Sequence, residues 1–540
     1  MPIHIDAPTL KAWLGDGREI ALLDVSEHGQ YGSVHPFFAV PLPYSRFELG
    51  LPALAPKPAV RIVLCDQGDG VATRAAARAQ ALGYRDLHIL SGGKEAWRRA
   101  GYTLYAGVNV PSKAFGELIA HERHTPHISA HAVEAMRDAK EDFVIVDGRP
   151  FAEFRKMSIP GGTCCPNGEL ALRIREIAPD PKTKIVVNCA GRTRSIIGAQ
   201  TLLEFGIPNQ VLALENGTQG WFLAGLALEH GALRRHSDEI KSTDMAQLQA
   251  QARQFALMRN VATVAPPEAI SWLADPARTT YLLDVRTAEE HAVQALPDFR
   301  HAPGGQLIQA TDQWVGVRGA RLVLADDELV RAPVVAGWLR QLGHEAYVLD
   351  GGIGAAATLS WPQPLRPPAL PDLTAIAASA LVQALDNGSV QTIDLRPSMV
   401  FRQGHVAQAL WSIRPHIAAA AKRGTTTVLV ADEPDIAALA ALDLREAGIT
   451  DIRLLAGDLA AWRSGSLSIL ATPDHPADAD CIDYLFFVHN RHEGDAEAAR
   501  QYLAWETGLL AQLDAQERGA FRIAPELRNP HDAHTTASRP

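Results

Sequence analysis

Cys189 is followed within six residues by two arginines and two hydroxyls, in the run Val-Val-Asn-Cys189-Ala190-Gly191-Arg192-Thr193-Arg194-Ser195. Those residue types at that spacing suit a reactive thiolate. A free thiol titrates near 8.5, but beside fixed cations and the unpaired amides of a helix start it can fall to roughly 3.5–7.5. Arg192 and Arg194 supply cations that stay charged at any ordinary pH. The helix start must come from the flanking elements. Lys184 to Asn188 reads as a buried strand, and Ser195 to Glu204 places Ile196, Ile197, Leu202 and Leu203 at the spacing of a helix packed on a sheet. Cys189 therefore falls at the junction, at the mouth of a helix N-terminus.

Two further signals flank the loop. Upstream stands Ile145-Val146-Asp147-Gly148-Arg149, and downstream Leu214-Glu215-Asn216-Gly217-Thr218-Gln219-Gly220-Trp221. In this order the three segments resemble the D-x-R strand end, the active-site loop and the closing L-x-G-G-x-x-x-W segment of the rhodanese (sulfurtransferase) family. The resemblance implies a ping-pong reaction on Cys189 as catalytic residue. Its thiolate attacks the outer sulfur of a donor such as thiosulfate, and sulfite leaves with the electrons of the broken S–S bond. An acceptor, cyanide or a thiol, then removes the outer sulfur from the persulfide and restores the thiolate. The amides from Ala190 through Gly191, Arg192, Thr193 and Arg194 to Ser195 would form a nest for the persulfide anion. Arg192 and Arg194 would orient an anionic donor, and the Thr193 or Ser195 hydroxyl could add a hydrogen bond. Arg149 either reaches this pocket or forms a fold-stabilising pair with its neighbouring aspartate.

The pattern occurs four times. Asp24, Asp147, Asp284 and Asp394 end strand-like runs, and closing signals follow at Leu90 to Gly93 with Trp97, Leu214 to Trp221, Leu349 to Gly352, and Leu455 to Asp458 with Trp462. Cys65 to Gly93 and Cys189 to Gly217 both span 28 positions (93 − 65 and 217 − 189). Short Val/Ile/Leu runs alternate with Ala-rich helical stretches, the pattern of βαβ units. The fold class expected is α/β: four tandem rhodanese-like domains, each a small parallel sheet with helices on both faces. Aligned on the strand before the loop, the cysteine position holds Cys65, Cys189, Ala325 and Ala431. Cys65 is followed by Asp66 and Asp69, which disfavour a thiolate, and alanine cannot carry sulfur. Only the second copy is expected to be active.

The boundaries expected are residues 1–106 for the first domain, 107–236 for the second, 261–363 for the third and 364–472 for the fourth. A helical linker, 237–260, is either a solvated connector or a clasp, and 473–540 is a helical extension whose end, His531 to Pro540, reads as disordered. With 540 residues and 47% hydrophobic side chains, the length suits about three to five domains. A formal charge of −10 argues against a nucleic-acid surface, and neither a signal segment nor a run of about 18 apolar residues suggests a membrane partner. The five cysteines fit a reducing cytoplasm. Cys164 or Cys165 could act as a resolving thiol or be a plain loop residue. No metal-ligand spacing and no cofactor motif occurs, so neither is expected. The expected partners are a small anionic sulfur donor and a cyanide or thiol acceptor, and two chains could pair as a homodimer through the inactive copies. Two other readings compete. A cysteine-dependent phosphatase is disfavoured because four residues, not five, separate Cys189 from Arg194. A persulfide carrier would load Cys189 once without cycling.

Overall fold

The structure is a computed structural model that describes residues 2–240, 244–492 and 494–524. It contains four five-stranded sheets, and counting strands within each sheet in chain order the order is 1-5-4-2-3 every time. In the second repeat this is His127–Ile128, Val211–Leu214, Lys184–Asn188, Phe143–Asp147 and Thr163–Cys164, all paired in parallel. The central strand of each sheet, such as Lys184–Asn188, is buried on both faces, which is why its sequence is a continuous apolar run. The loop beyond its carboxyl end is the place where open α/β sheets bind ligands. Trp97, Trp221 and Trp462 are buried, each giving its indole N–H to a backbone carbonyl of its own repeat, so they anchor the closing helices.

Strand register corrects the alignment of the copies. Asp24 lies opposite Cys65, Asp147 opposite Asn188, Asp284 opposite Ala325 and Asp394 opposite Val430. The closing helices agree: the amides of Lys94, Thr218 and Ile353 donate to the carbonyls of Asp66, Cys189 and Asp326. The residues equivalent to Cys189 are thus Asp66, Asp326 and Ala431, not Cys65, Ala325 and Ala431. The equal spacing of 28 conceals a one-residue difference between copies. Cys65 ends its strand with its side chain in the core of the first repeat. Burial pushes its thiol well above the ordinary range, and Asp24 and Asp66 add to the shift.

The chain forms two compact units, each built from two repeats. One takes the first and fourth, Ile20–Val108 with Leu365–His489; in it the buried Arg414 guanidinium bridges Glu48 at 2.6 and 2.8 Å and Asp443 at 3.1 Å. The other takes the second and third, Asn109–Pro364, with the described tail from Asn490. There the Met245–Leu257 helix buries Leu248, Ala252 and Phe255, and Gln251 donates to the Phe205 carbonyl at 3.0 Å. The segment expected as connector or clasp is a clasp. Residues 241–243 of that expected linker, and the expected disordered end 531–540, lie outside the described residues. No described helix is long and apolar enough to cross a membrane.

Candidate active site

The Thr193–Phe205 helix begins four residues after Cys189, and the loop Ala190–Arg192 turns between strand and helix. Two interactions set its shape. At its back, the first amides of the Gly217–Leu223 helix clamp it: Thr218 N–H donates to the Cys189 carbonyl at 2.8 Å and Gln219 N–H to the Ala190 carbonyl at 3.0 Å. Within the loop, Cys189 Sγ donates to Ser195 Oγ at 3.6 Å, while Ser195 Oγ–H donates to the Arg192 carbonyl at 2.7 Å. Cys189 is buried, with 2% exposure.

Two of the three sister loops, those of the first and third repeats, hold a carboxylate. In the first repeat Asp66 accepts from the amides of Gly68 and Ala72, both at 2.9 Å. In the third, Asp326 accepts from Val330 at 3.0 Å and Arg331 at 2.9 Å. A carboxylate in each case fills the loop from the position that Cys189 occupies in the second repeat. The corresponding amides of the second repeat belong to Gly191, Thr193, Arg194 and Ser195, of which Thr193 N–H is aimed at Glu506 Oε1 at 3.4 Å.

Both arginines expected to orient an anionic donor are engaged in ion pairs. Arg192 is paired with Glu117 of the Val110–Arg123 helix at 2.6 and 3.0 Å and donates to Asn216 Oδ1 at 3.2 Å. Arg194 is held by Glu153 at 2.9 and 2.8 Å and by Gln306 of the third repeat at 3.1 Å. Burial opposes the charge on Arg194, and Glu153 more than restores it. Glu117 is shifted upward because its burial outweighs the Arg192 pairing. Arg149 is engaged at its own strand end, near enough to Arg194 for the two charges to oppose each other. Its buried guanidinium is bidentate to Asp147 at 2.9 and 2.7 Å and donates to the Met157 carbonyl at 2.7 Å. Arg286–Asp284 and Arg396–Asp394 repeat the pairing, which makes it a fold-stabilising clamp. Cys164 and Cys165 are buried; Cys164 Sγ donates to the Arg149 carbonyl at 3.4 Å, and burial pushes its thiol up to about 12.

Several site residues have no signal in the loop's own sequence. Glu117, Glu153 and Asn216 partner the arginines, and Lys113 and Glu506 form a buried pair at 3.0 Å against Thr193. A cavity of about 590 Å³ adjoins the loop, lined by Glu117, His124, Arg192, Ser195, Asn216 and Leu510 among others.

The family model of the rhodanese-like domain matches this chain at residues 6–100, 129–224, 266–357 and 377–465, more than half of its length. The chain belongs to the rhodanese family. A crystal structure of thiosulfate sulfurtransferase from Pseudomonas aeruginosa is 40% identical, with 97% of this chain and 100% of that one covered and a TM-score of 0.88. The HTH-type transcriptional regulator Rv0324 of Mycobacterium tuberculosis is 33% identical over 102 residues, 19% of this chain, and the chain spans only 44% of its length. YrkF of Bacillus subtilis, whose name marks it as a candidate sulfur carrier, is 28% identical over 139 residues, 24% of this chain and 71% of that one. Four rhodanese-like repeats with one cysteine-bearing loop therefore describe the chain.

Proposed function

We propose that this chain is a sulfurtransferase that takes sulfane sulfur from thiosulfate onto Cys189 and passes it to a thiol or to cyanide, working in the reducing cytoplasm. The observation that carries this reading is the loop at Cys189, whose counterparts in the first and third repeats are each filled by a carboxylate from the equivalent position. Cys189 as thiolate attacks the outer sulfur of thiosulfate, and sulfite departs with the bonding electrons. The resulting Cys189 persulfide places its terminal sulfur among the amides of Gly191, Arg194 and Ser195, where fixed dipoles stabilise its charge. Ser195 Oγ, 3.6 Å from Sγ, can rotate its hydrogen toward the sulfur once the thiol proton has left. Attack by the acceptor on the terminal sulfur breaks the S–S bond and regenerates the thiolate. Thiosulfate as donor is supported by the name of the Pseudomonas enzyme. A carrier role, in which a partner protein loads Cys189 once, is the second reading, favoured by the likeness to YrkF.

The test is intact mass and peptide mapping after exposure to thiosulfate, then cyanide, with Cys189→Ser and Cys65→Ser beside the unaltered chain. One added sulfur on the Cys189 peptide, released as thiocyanate over many cycles and lost only in Cys189→Ser, is expected. Loading by a persulfide donor but not by thiosulfate would replace the donor. Loading without turnover would favour the carrier.

A further inference from the structure

Resting on Cys189 as the sulfur-carrying residue, we infer that Glu506, on the C-terminal helix outside the four repeats, is a positioning residue of the site that holds the Cys189 loop through Thr193 and sets the loop's charge against dianionic donors.

The Ala496–Thr507 helix is capped by Asp495, which accepts from the amides of Glu497 and Ala498. Tyr502 and Glu506, four residues apart and so on one face, are both buried. Glu506 Oε1 accepts from Thr193 Oγ1 at 2.7 Å, from Thr193 N–H at 3.4 Å and from Lys113 Nζ at 3.0 Å. Thr193 is the first residue of the Thr193–Phe205 helix, so its amide has no partner within the helix and is free to be aimed. The equivalent amide of the third repeat, Val330, faces the Asp326 carboxylate. Glu506 thus grips, through both amide and hydroxyl, the residue four positions after Cys189 at the start of the helix.

The second oxygen carries the charge argument. Glu506 Oε2 is buried with no hydrogen-bond partner among the described residues. It lies over Gly191, where an added Cβ would come within 2.8 Å of it and 3.0 Å of Tyr502 Cε1. That oxygen keeps its share of the carboxylate charge against the loop backbone. Lys113, Arg192 and Arg194 each have a carboxylate partner in Glu506, Glu117 and Glu153. With the Glu506 oxygen against the loop, a dianion gains less here than the two arginines suggest. Removing the Glu506 charge leaves Lys113 unbalanced beside the loop and draws such a donor in. The same change loosens Thr193 and slows the transfer.

The test uses the full-length chain and follows the two half-reactions separately, loading of Cys189 by thiosulfate and discharge by cyanide. For Glu506→Gln the maximal loading rate is expected to fall about tenfold or more, the worth of a hydrogen bond to a charged group. The half-saturating thiosulfate concentration is expected to fall about threefold, because one negative charge is gone. Glu506→Asp should recover part of the rate. Thr193→Val removes the same bond from the other end, reads it even if Glu506→Gln fails to fold, and should not add to Glu506→Gln in the double variant. Wild-type rates in Glu506→Gln, additive losses in the double variant, or a lower rate with unchanged half-saturation would overturn the inference. If the unaltered chain loads from no donor, the sulfurtransferase reading fails by itself. Hydrogen exchange then still reads the clasp, with faster exchange at Gly191–Ser195 expected in Glu506→Gln and unchanged exchange refuting it.

Discussion

An arginine attracts an anionic substrate only with the charge left over from its own ion pairs. Arg192 shares its charge with Glu117 and Arg194 with Glu153, so neither acts as a free cation toward a donor. Glu117→Gln should release Arg192 toward the loop and lower the half-saturating thiosulfate concentration roughly three- to tenfold, measured in the loading half-reaction at low salt; no change would mean that Arg192 does not face the donor. The same pair predicts a pH effect. Burial raises the Glu117 carboxyl above the ordinary value of about 4.3. Its neutral form is therefore favoured by the fold, and the related stability is full below the ordinary value and lost as pH rises through the raised one. As pH falls through that window Glu117 takes a proton and Arg192 is released, so thiosulfate should load at lower concentrations, and Glu117→Gln should flatten the trend. The proposed nucleophile and its loop were legible in the sequence because their residues are consecutive. Their acidic partners were not, because Glu117, Glu153 and Glu506 come from three other helices and nothing local marks them.

At the scale of elements, the loop is held by the helix that closes the repeat. Gly217 has φ +56°, and a Cβ there would stand 2.3 Å from the Cys189 carbonyl oxygen and 2.6 Å from that of Gly191. Gly217→Ala must displace the loop and should abolish loading. Gly225→Ala has comparable backbone strain at φ +75° but open space around it; it should cost about 1–2 kcal/mol and leave loading intact. Mass spectrometry of the thiosulfate-treated variants with thermal melts compares the two, and equal loading in both would remove the clamp from the account. The C-terminal helix is held by charge in the opposite sense to Glu117. Burial works to raise Glu506, but Lys113 and the Thr193 hydrogen bond outweigh it, so its carboxyl lies below the ordinary range. Its stabilisation is present above that range and lost as pH falls through the lowered value. Exchange at Ala496–Thr507 should therefore rise only below about pH 4; a rise already at pH 6 would contradict this. Strand and helix identities along the repeats follow from periodicity. The register did not, because alignment on cysteine identity placed Cys65 beside Cys189, whereas pairing with the neighbouring aspartate puts Asp66 there.

At the scale of the molecule, the repeats that lack a cysteine have physical work to do. The third repeat buries its Arg331–Gln341 helix against the second: Trp338 Nε1 donates to Thr201 Oγ1 at 2.9 Å, and Arg331 meets Glu169 at 3.2 Å. Thr201 belongs to the helix that starts at Thr193, so the third repeat braces that helix along its length while Gln306 holds Arg194 at its start. The pairing of second with third and first with fourth could not be read from the sequence, since each repeat carries the same pattern and nothing in it names a neighbour. Trp338→Ala removes the largest shared side chain of this contact and should cost about 3–5 kcal/mol. Because that loss falls on the unit formed by the second and third repeats, loading of Cys189 should fail at a lower temperature, and exchange should rise along Thr193–Phe205. The strands Ile62–Cys65 and Thr426–Val430 of the other unit should keep their protection. Protection lost equally in all four sheets would show that the chain unfolds as one body, and loading that survives to the wild-type temperature would show that the third repeat does not brace the site.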